Sequence, residues 1–209
     1  MEVVVPYDGL DPKTRLEPVL EDRERHELGR ACLEGVLAAV EGAGGDPHVL
    51  ATADVPVDAP VTVDDRPLSP AVNAILADRS DPVGLVVADL PLASVESLER
   101  LFSATGQVVL VPGRGGGTNA LVVKEPDFRV DFHGSSFLDH RRAATALGVE
   151  PTVVDSHRLS TDIDEPADLV EVLVHGRGPA RDFLEECGFG LSDRGGRVSL
   201  HRRGDPVDG

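Results

Sequence analysis

The run Gly84-Leu85-Val86-Val87-Ala88 contains no polar residue and stops at Asp89. A strand that is apolar at every position has no face to give to water. Both faces must therefore be covered, as in the central strand of a helix-covered sheet. The rest of the chain supplies the other layers. Short β-favouring runs, Val3 to Pro6, Val49 to Ala51, Val61 to Val63, Val108 to Val111, Ala120 to Val123 and Thr152 to Val154, alternate with segments of helical spacing. Leu28, Cys32, Val36, Leu37 and Val40 recur in a long helical segment that begins near Pro18. Ser69 to Arg79 is expected to be helical with Ser69 as N-cap and Pro70 at the first helical position, and Ser94 to cap a helix ending at Phe102. Ser135 to Leu147, Pro166 to Val174 and Pro179 to Glu186 read as further helices. The alternation predicts a three-layer α/β fold. One domain is expected over residues 1–209, with its core at about 2–187 and a C-terminal hairpin or tail at 188–209 that turns at Gly195-Gly196.

Charge narrows the partners. The chain carries 37 Asp and Glu against 20 Lys and Arg, a formal net charge of -17, with the acids scattered and not gathered in a tail. A surface of that sign repels nucleic acid. It also repels itself in dilute buffer, whereas in molar salt the Debye length shrinks to about 3 Å and the repulsion is screened. Such a composition, with aromatics at 3% and Lys13 and Lys124 as the only lysines, fits a halophile's protein; an acidic mesophilic protein or an acidic mimic is the alternative. The longest apolar runs fall far short of the roughly 20 residues of a membrane span. The N-terminus has no basic leader and reads as a strand, so a cytoplasmic location is expected. Cys32 and Cys187 have no Cys-x-x-Cys partner and read as small core residues.

In an open α/β sheet, ligands bind outside the carboxyl ends of the strands, so the loops there hold the candidates. After the first strand, Lys13 and Arg15 stand ahead of a helix, where two cations suit a triphosphate, although a solvated turn would look the same. The Gly-x-x-x-x-Gly-Lys-Ser/Thr P-loop is absent. Asp89 ends the central strand, a position that can hold Mg²⁺ or simply cap the next turn. Pro112 to Asn119 has four glycines among its eight residues and brings Arg114, Thr118 and Asn119 as hydrogen-bond donors. Ser135 and Ser136 stand at a helix start, which suits an anion or an N-cap. Asp162-Ile163-Asp164 puts two carboxylates on one face if extended. With Asp89 they form the arrangement that phosphoryl and nucleotidyl transfer needs.

Five of these segments occur in one order. They are Pro6…Lys13-Thr14-Arg15-Leu16, Ala88-Asp89-Leu90-Pro91, Gly116-Gly117-Thr118-Asn119-Ala120-Leu121, Ser136-Phe137-x-x-His140 and Asp162-Ile163-Asp164-x-Pro166-x-Asp168-Leu169. In that order they resemble the 2-phospho-L-lactate guanylyltransferase family over roughly residues 2–175. The resemblance implies a GT-A-like, Rossmann-like nucleotidyltransferase with a mixed, mostly parallel sheet. It implies a reaction in which GTP and (2S)-2-phospholactate give lactyl-2-diphospho-5′-guanosine and pyrophosphate, on the way to the deazaflavin coenzyme F420 of haloarchaea and methanogens. It further implies Mg²⁺ on Asp89, Asp162 and Asp164, a triphosphate on Lys13 and Arg15, and the phospho-acid at Thr118 and Ser136, with Asn119, His133 and Gly134 beside them. Asn73 is a candidate for selecting guanine, and a homodimer is implied. Two positions depart from the family pattern: His133 replaces a glycine common in bacterial relatives, and Asp8-Gly9 stands where many relatives carry a lysine. Phosphoenolpyruvate or 3-phosphoglycerate as acceptor, or a non-catalytic nucleotide-binding module, are the alternatives.

Overall fold

The computed structural model describes residues 1–10, 13–194 and 197–204 of the chain. β1 (Glu2–Tyr7) leads through a 3₁₀ turn (Thr14–Leu16) into α1 (Asp22–Gly42), and β2 (Asp46–Ala51) and β3 (Val61–Val63) follow. Then come α2 (Leu68–Asp78), β4 (Val83–Val86), α3 (Val95–Phe102), β5 (Val108–Pro112), β6 (Thr118–Val123) and α4 (Ser136–Ala146). After these lie β7 (Thr152–Val153), α5 (His157–Ser160), α6 (Asp168–His175), α7 (Pro179–Glu186) and a hairpin of β8 (Phe189–Arg194) and β9 (Arg197–Arg202). No helix among the described residues is long and apolar enough to cross a membrane.

Seven strands form one sheet in the order β3-β2-β1-β4-β6-β5-β7. β1 pairs in parallel with β2 on one side and β4 on the other, with Val3 facing Pro47 and Gly84. The chain winds outward from β1 to β3, then returns to β4 and winds the other way. The carboxyl ends of β1 and β4 thus flank a topological switch point, where an open α/β sheet leaves a crevice. β6 is antiparallel to both β4 and β5. It therefore starts, at Thr118, on the edge where β4 and β5 end.

Side-chain alternation sorts the sheet's two faces. Val3, Val5, Val86, Val109 and Val122 pack with Leu33, Val36 and Val40 of α1 and Leu98 and Leu101 of α3. Val4, Leu85, Leu110 and Leu121 pack on the other face with Val72 and Leu76 of α2, Phe128, and Ala144 of α4. Each such aliphatic side chain contributes roughly 1.5–3 kcal/mol on burial. A third cluster joins Leu28 and Cys32 of α1 to Leu169, Val172, Leu184 and Phe189 beneath the hairpin. Arg202 lies over the Phe189 ring, 4.8 Å from its centre, and pairs with Glu24 of α1.

The expected elements are present, with instructive differences. Ser69 is not the N-cap of α2: the cap position is Pro67, and the Ser69 hydroxyl accepts the Phe132 amide at 2.9 Å instead. Pro70 sits one turn in, where its missing N–H is still no loss because the first four amides of a helix have no partner within it. Ser94 does cap α3, accepting from Ser97 N at 3.3 Å. α5 leaves no signature in the sequence, since four residues are too few to show a helical period. Cys32 is buried as expected, whereas Cys187 at the end of α7 is half-buried. The hairpin of 189–203 is present as β8 and β9, and its expected turn at Gly195-Gly196 lies outside the described residues.

Candidate active site

A cavity of about 400 Å³ opens at the switch point. Its walls are the ends of β1 (Pro6, Tyr7) and β2 (Leu50 to Thr52), the segment after β4 (Val87 to Asp89), and Asp64, Arg66, Leu68 and Ala71 around the start of α2. Lys13 enters from the loop after β1. Its backbone is left-handed, with φ 64°, the one non-glycine residue of positive φ among those described. That conformation costs roughly 1–2 kcal/mol in an L-residue. Here it turns the side chain inward, 3% exposed, and sets Nζ 2.7 Å from Asp89 Oδ2 and 2.7 Å from the carbonyl oxygen of Ile163. Burial opposes the ammonium, but the neighbouring charge and hydrogen bond of Asp89 outweigh it, and the pKa stands above the ordinary lysine value. Beneath it, Cys32 is fully buried. Burial pushes its thiol up to about 12, although Lys13 works the other way, so it stays protonated.

The Asp162-Ile163-Asp164 segment closes onto β4. Ile163 N donates to the Asp89 carbonyl at 3.1 Å, which ties the segment to the one that follows β4. Asp168 Oδ2 holds the segment from behind, accepting the Asp164 and Glu165 amides at 3.0 and 2.8 Å. Asn119 Nδ2 donates to Asp162 Oδ1 at 3.1 Å, and Arg15 pairs with Asp164 at 3.1 Å. Burial, then the charge of Asp162, hold the Asp164 carboxyl above its usual range against the pull of Lys13 and Arg15. A cation held at this spot would relieve that crowding. The donors are carboxylate oxygens, the type Mg²⁺ takes, and Mg²⁺ needs only one or two of them. The structure does not gather Asp89, Asp162 and Asp164 into a cluster whose ligand atoms all lie within 4.8 Å of one another. Among the described residues, His157, Glu171 and His175 form the one group of three such side chains whose ligand atoms all lie within 4.8 Å of one another.

Thr118 and Ser136 come together, but as a buried brace. Each is 3% exposed. Ser136 Oγ accepts the Thr118 amide at 2.9 Å, and Thr118 Oγ1 lies 2.8 Å from His140 Nδ1. His140 Nε2 accepts the Asp131 amide at 2.9 Å, so the ring's proton belongs on Nδ1 and points to Thr118. Burial pushes the His140 pKa down to about 4. This ties the glycine-rich loop to the start of α4, where Phe137 N donates to Gly116 O at 3.3 Å. A Cβ at Gly113 would displace the Asn119 carboxamide from its place beside the loop.

Three expected residues lie outside this constellation. Asn73 spends both ends of its amide on Val130, donating to its carbonyl at 2.9 Å and accepting its amide at 2.8 Å, and it does not line the cavity. His133 is exposed and bonded to Asp131 at 2.6 Å, and Gly134, exposed at φ 56°, makes the turn beside it. Conversely, the cavity uses residues that the sequence reading passed over. Tyr7 ends β1, its phenol pushed up by burial and then by Asp89. Thr52 follows β2 and donates to Asp8 at 2.9 Å. Arg66 forks onto Asp64 through Nε and Nη2, which holds the Asp64 carboxyl down at about 2. The same strand-end rule that selected Asp89 would have selected Thr52 and Asp64.

A family model described as "Guanylyl transferase CofC like" matches residues 1–202. The 2-phospho-L-lactate guanylyltransferase of Halomicrobium mukohataei is 54% identical over 202 residues, covering 97% of this chain and 100% of that protein. The Haloferax volcanii protein of the same name is 55% identical over 203 residues, covering 97% and 98%. Among solved structures, a nucleotidyl transferase from Methanothermobacter superposes with a TM-score of 0.63 at 20% identity, over 88% of this chain and 98% of that one. The inositol-1-phosphate CTP transferase from T. maritima gives 0.53 at 14% identity, over 88% and 95%. At such identities the structural likeness is one of fold. The family match, running over residues 1–202, and relatives of more than half identity carry the assignment: the chain belongs to the CofC-like guanylyl transferase family.

Proposed function

We propose that this chain condenses GTP with (2S)-2-phospholactate to give lactyl-2-diphospho-5′-guanosine and pyrophosphate, the activated intermediate of coenzyme F420 synthesis. The observation that carries the reading is the Lys13 ammonium, fixed between Asp89 and Ile163 at the rim of a cavity at the switch point. A phosphate oxygen of the acceptor bonds to the α-phosphorus of GTP while the bond to the β-phosphate oxygen breaks, and that electron pair leaves with pyrophosphate. A phosphate dianion is already a nucleophile at neutral pH, so no side chain has to remove a proton. Catalysis then rests on placement and on fixed positive charge.

Lys13 supplies that charge without reorganising, because its position is set before substrate arrives. Arg15, 69% exposed, is free to leave Asp164 for the triphosphate. The apolar walls Leu50, Leu68 and Ala71 take the base, and Asp64 and Arg66 offer polar groups at its edge. Mg²⁺ on Asp89, with Asp162 and Asp164, would neutralise phosphate charge. Thr118, Ser136 and His140 shape the loop of Gly113 to Gly117, whose backbone, with Arg114 and Asn119, faces the acceptor. The reading includes a cytoplasmic location and a homodimer as the working unit, the latter tested by light scattering in concentrated KCl.

The decisive experiment is pyrophosphate release in high KCl with Mg²⁺, crossing GTP, ATP and CTP with 2-phospholactate, phosphoenolpyruvate and 3-phosphoglycerate. Turnover should be highest for GTP with 2-phospholactate. A preference for another acceptor would move the substrate, and no release from any pair would overturn the reading.

A further inference from the structure

We propose that His157, Glu171 and His175 bind one divalent ion of the zinc class and so clasp α5 to α6. Nε2 of His157 lies 3.5 Å from Glu171 Oε2, and Nε2 of His175 lies 3.7 Å from the same oxygen. The two rings meet edge to face at 88° with centres 5.2 Å apart. A tetrahedral ion with bonds of 2.0–2.2 Å keeps its ligand atoms about 3.4 Å from one another. Both imidazole nitrogens are thus already near that spacing from Glu171, and all three ligand atoms lie within 4.8 Å of one another, so small rotations of half-exposed side-chain tips would close the set.

Local structure explains the convergence. Glu171 and His175 are four residues apart on α6 and share one face. His157 opens α5, whose cap Ser156 accepts the Leu159 amide at 3.3 Å. The Thr161 hydroxyl donates to the His157 carbonyl at 2.8 Å, and its oxygen stands 3.5 Å from Nδ1 of the same residue. That oxygen can accept the Nδ1 proton, which leaves the Nε2 lone pair directed at Glu171. Such outer-shell partners fix the tautomer of metal-binding histidines. Arg158 Nη1 donates to Leu92 O at 3.2 Å and His175 O at 3.5 Å, holding the end of α6 in place.

Two imidazoles and a carboxylate suit Zn²⁺, and also Co²⁺, Ni²⁺ or Cu²⁺, and leave a fourth position for water. The all-oxygen set at β4 suits Mg²⁺ instead, so the two sites differ in chemistry. They are linked by the chain. Asp162 and Asp164 lie between His157 and Glu171, so an ion here fixes both ends of the segment that carries them. The alternative is a pair of exposed histidine–glutamate contacts, which would be worth little.

The test uses the full-length protein, freed of metal by a chelator and titrated in about 2 M KCl with ZnCl₂ by calorimetry and with Co²⁺ by visible absorption. The expected result is one Zn²⁺ per chain, a midpoint of thermal unfolding raised by several degrees and restored by chelator, and the strong visible bands of four-coordinate Co²⁺. The His157→Gln/His175→Gln variant should lose at least tenfold in affinity together with the Co²⁺ bands, and Glu171→Gln should weaken binding less. Wild-type affinity in the histidine variant would overturn the proposal, as would a wild-type protein that binds Zn²⁺ no tighter than about 100 μM. Should the double variant fail to fold, the wild-type Co²⁺ spectrum decides: without those bands the site does not exist. Pyrophosphate release is a separate readout, so failure here leaves the guanylyl-transfer reading untouched.

Discussion

At Lys13 a strained backbone, a buried charge and a single carboxylate partner meet, and substitution separates them. Asp89→Asn leaves the ammonium without its counter-charge. Breaking a fully buried pair costs about 3–5 kcal/mol. Because the Asp89 side chain is 42% exposed, a loss nearer about 2 kcal/mol in urea unfolding is expected. Lys13→Met/Asp89→Asn should be less destabilised than Asp89→Asn alone, since no lone charge remains. Turnover should fall about a thousandfold in each single variant, equivalent to roughly 4 kcal/mol of transition-state stabilisation. A stable, active Asp89→Asn protein would remove this pair from the site. His140 makes a separate prediction. Its folded pKa is about 4, against an ordinary 6.5, so the unfolded chain takes up a proton that the folded one refuses. Stability is fully present above pH 6.5 and declines as pH falls towards 4, by roughly 3 kcal/mol from this residue. Subtracting the profile of His140→Gln from that of the wild type isolates the contribution, and identical slopes between pH 7 and 4.5 would refute it.

Elements show which parts of this design can be read from sequence. The apolar runs at 108–111 and 120–123 became strands because full burial leaves no polar residue to disguise them, whereas in the run at 84–88 the strand stops at Val86 and Val87 is half-buried beside the cavity. Asp89 is legible as the carboxylate that closes an apolar run and Asp162-Ile163-Asp164, between α5 and α6, as a paired-carboxylate motif, and the proposed metal role rests on those patterns. Ser69 and Asn73 are ambiguous in the sequence because small polar residues near a helix start are equally apt as caps, ligands or cross-links. The choice depended on a loop more than fifty residues away, at Val130 and Phe132. Thr52 and Asp64 follow short strands without a flanking motif, so the strand-end rule reaches them only once those strands are recognised, and Arg66 joins them through its fork onto Asp64. Asn73 tests the point: two hydrogen bonds tie α2 to the loop before α4. Asn73→Leu should lower stability by roughly 2 kcal/mol while the preference for GTP over ATP stays unchanged. A relaxed nucleotide preference with unaltered thermal unfolding would return Asn73 to the guanine site.

Across the whole molecule the formal charge of -17 acts on every surface at once. Raising KCl from about 0.1 M to above 1 M shortens the screening length from roughly 10 Å to 3 Å, so the unfolding midpoint and the activity should both climb. Equal stability in dilute buffer would contradict salt adaptation and leave the reaction unaffected. The strand order has another consequence, in the making of the protein. β1 is the first strand in the chain, yet it lies between β2 and β4, with Val3 beside Gly84. On the ribosome one of its edges stays bare until β4 has emerged, and β4 then waits for β6, which ends at Val123. Unpaired apolar edges invite pairing with other chains, so this interval is when a nascent copy is open to aggregation or chaperone capture. A truncation between Val86 and Val123 would make that interval permanent.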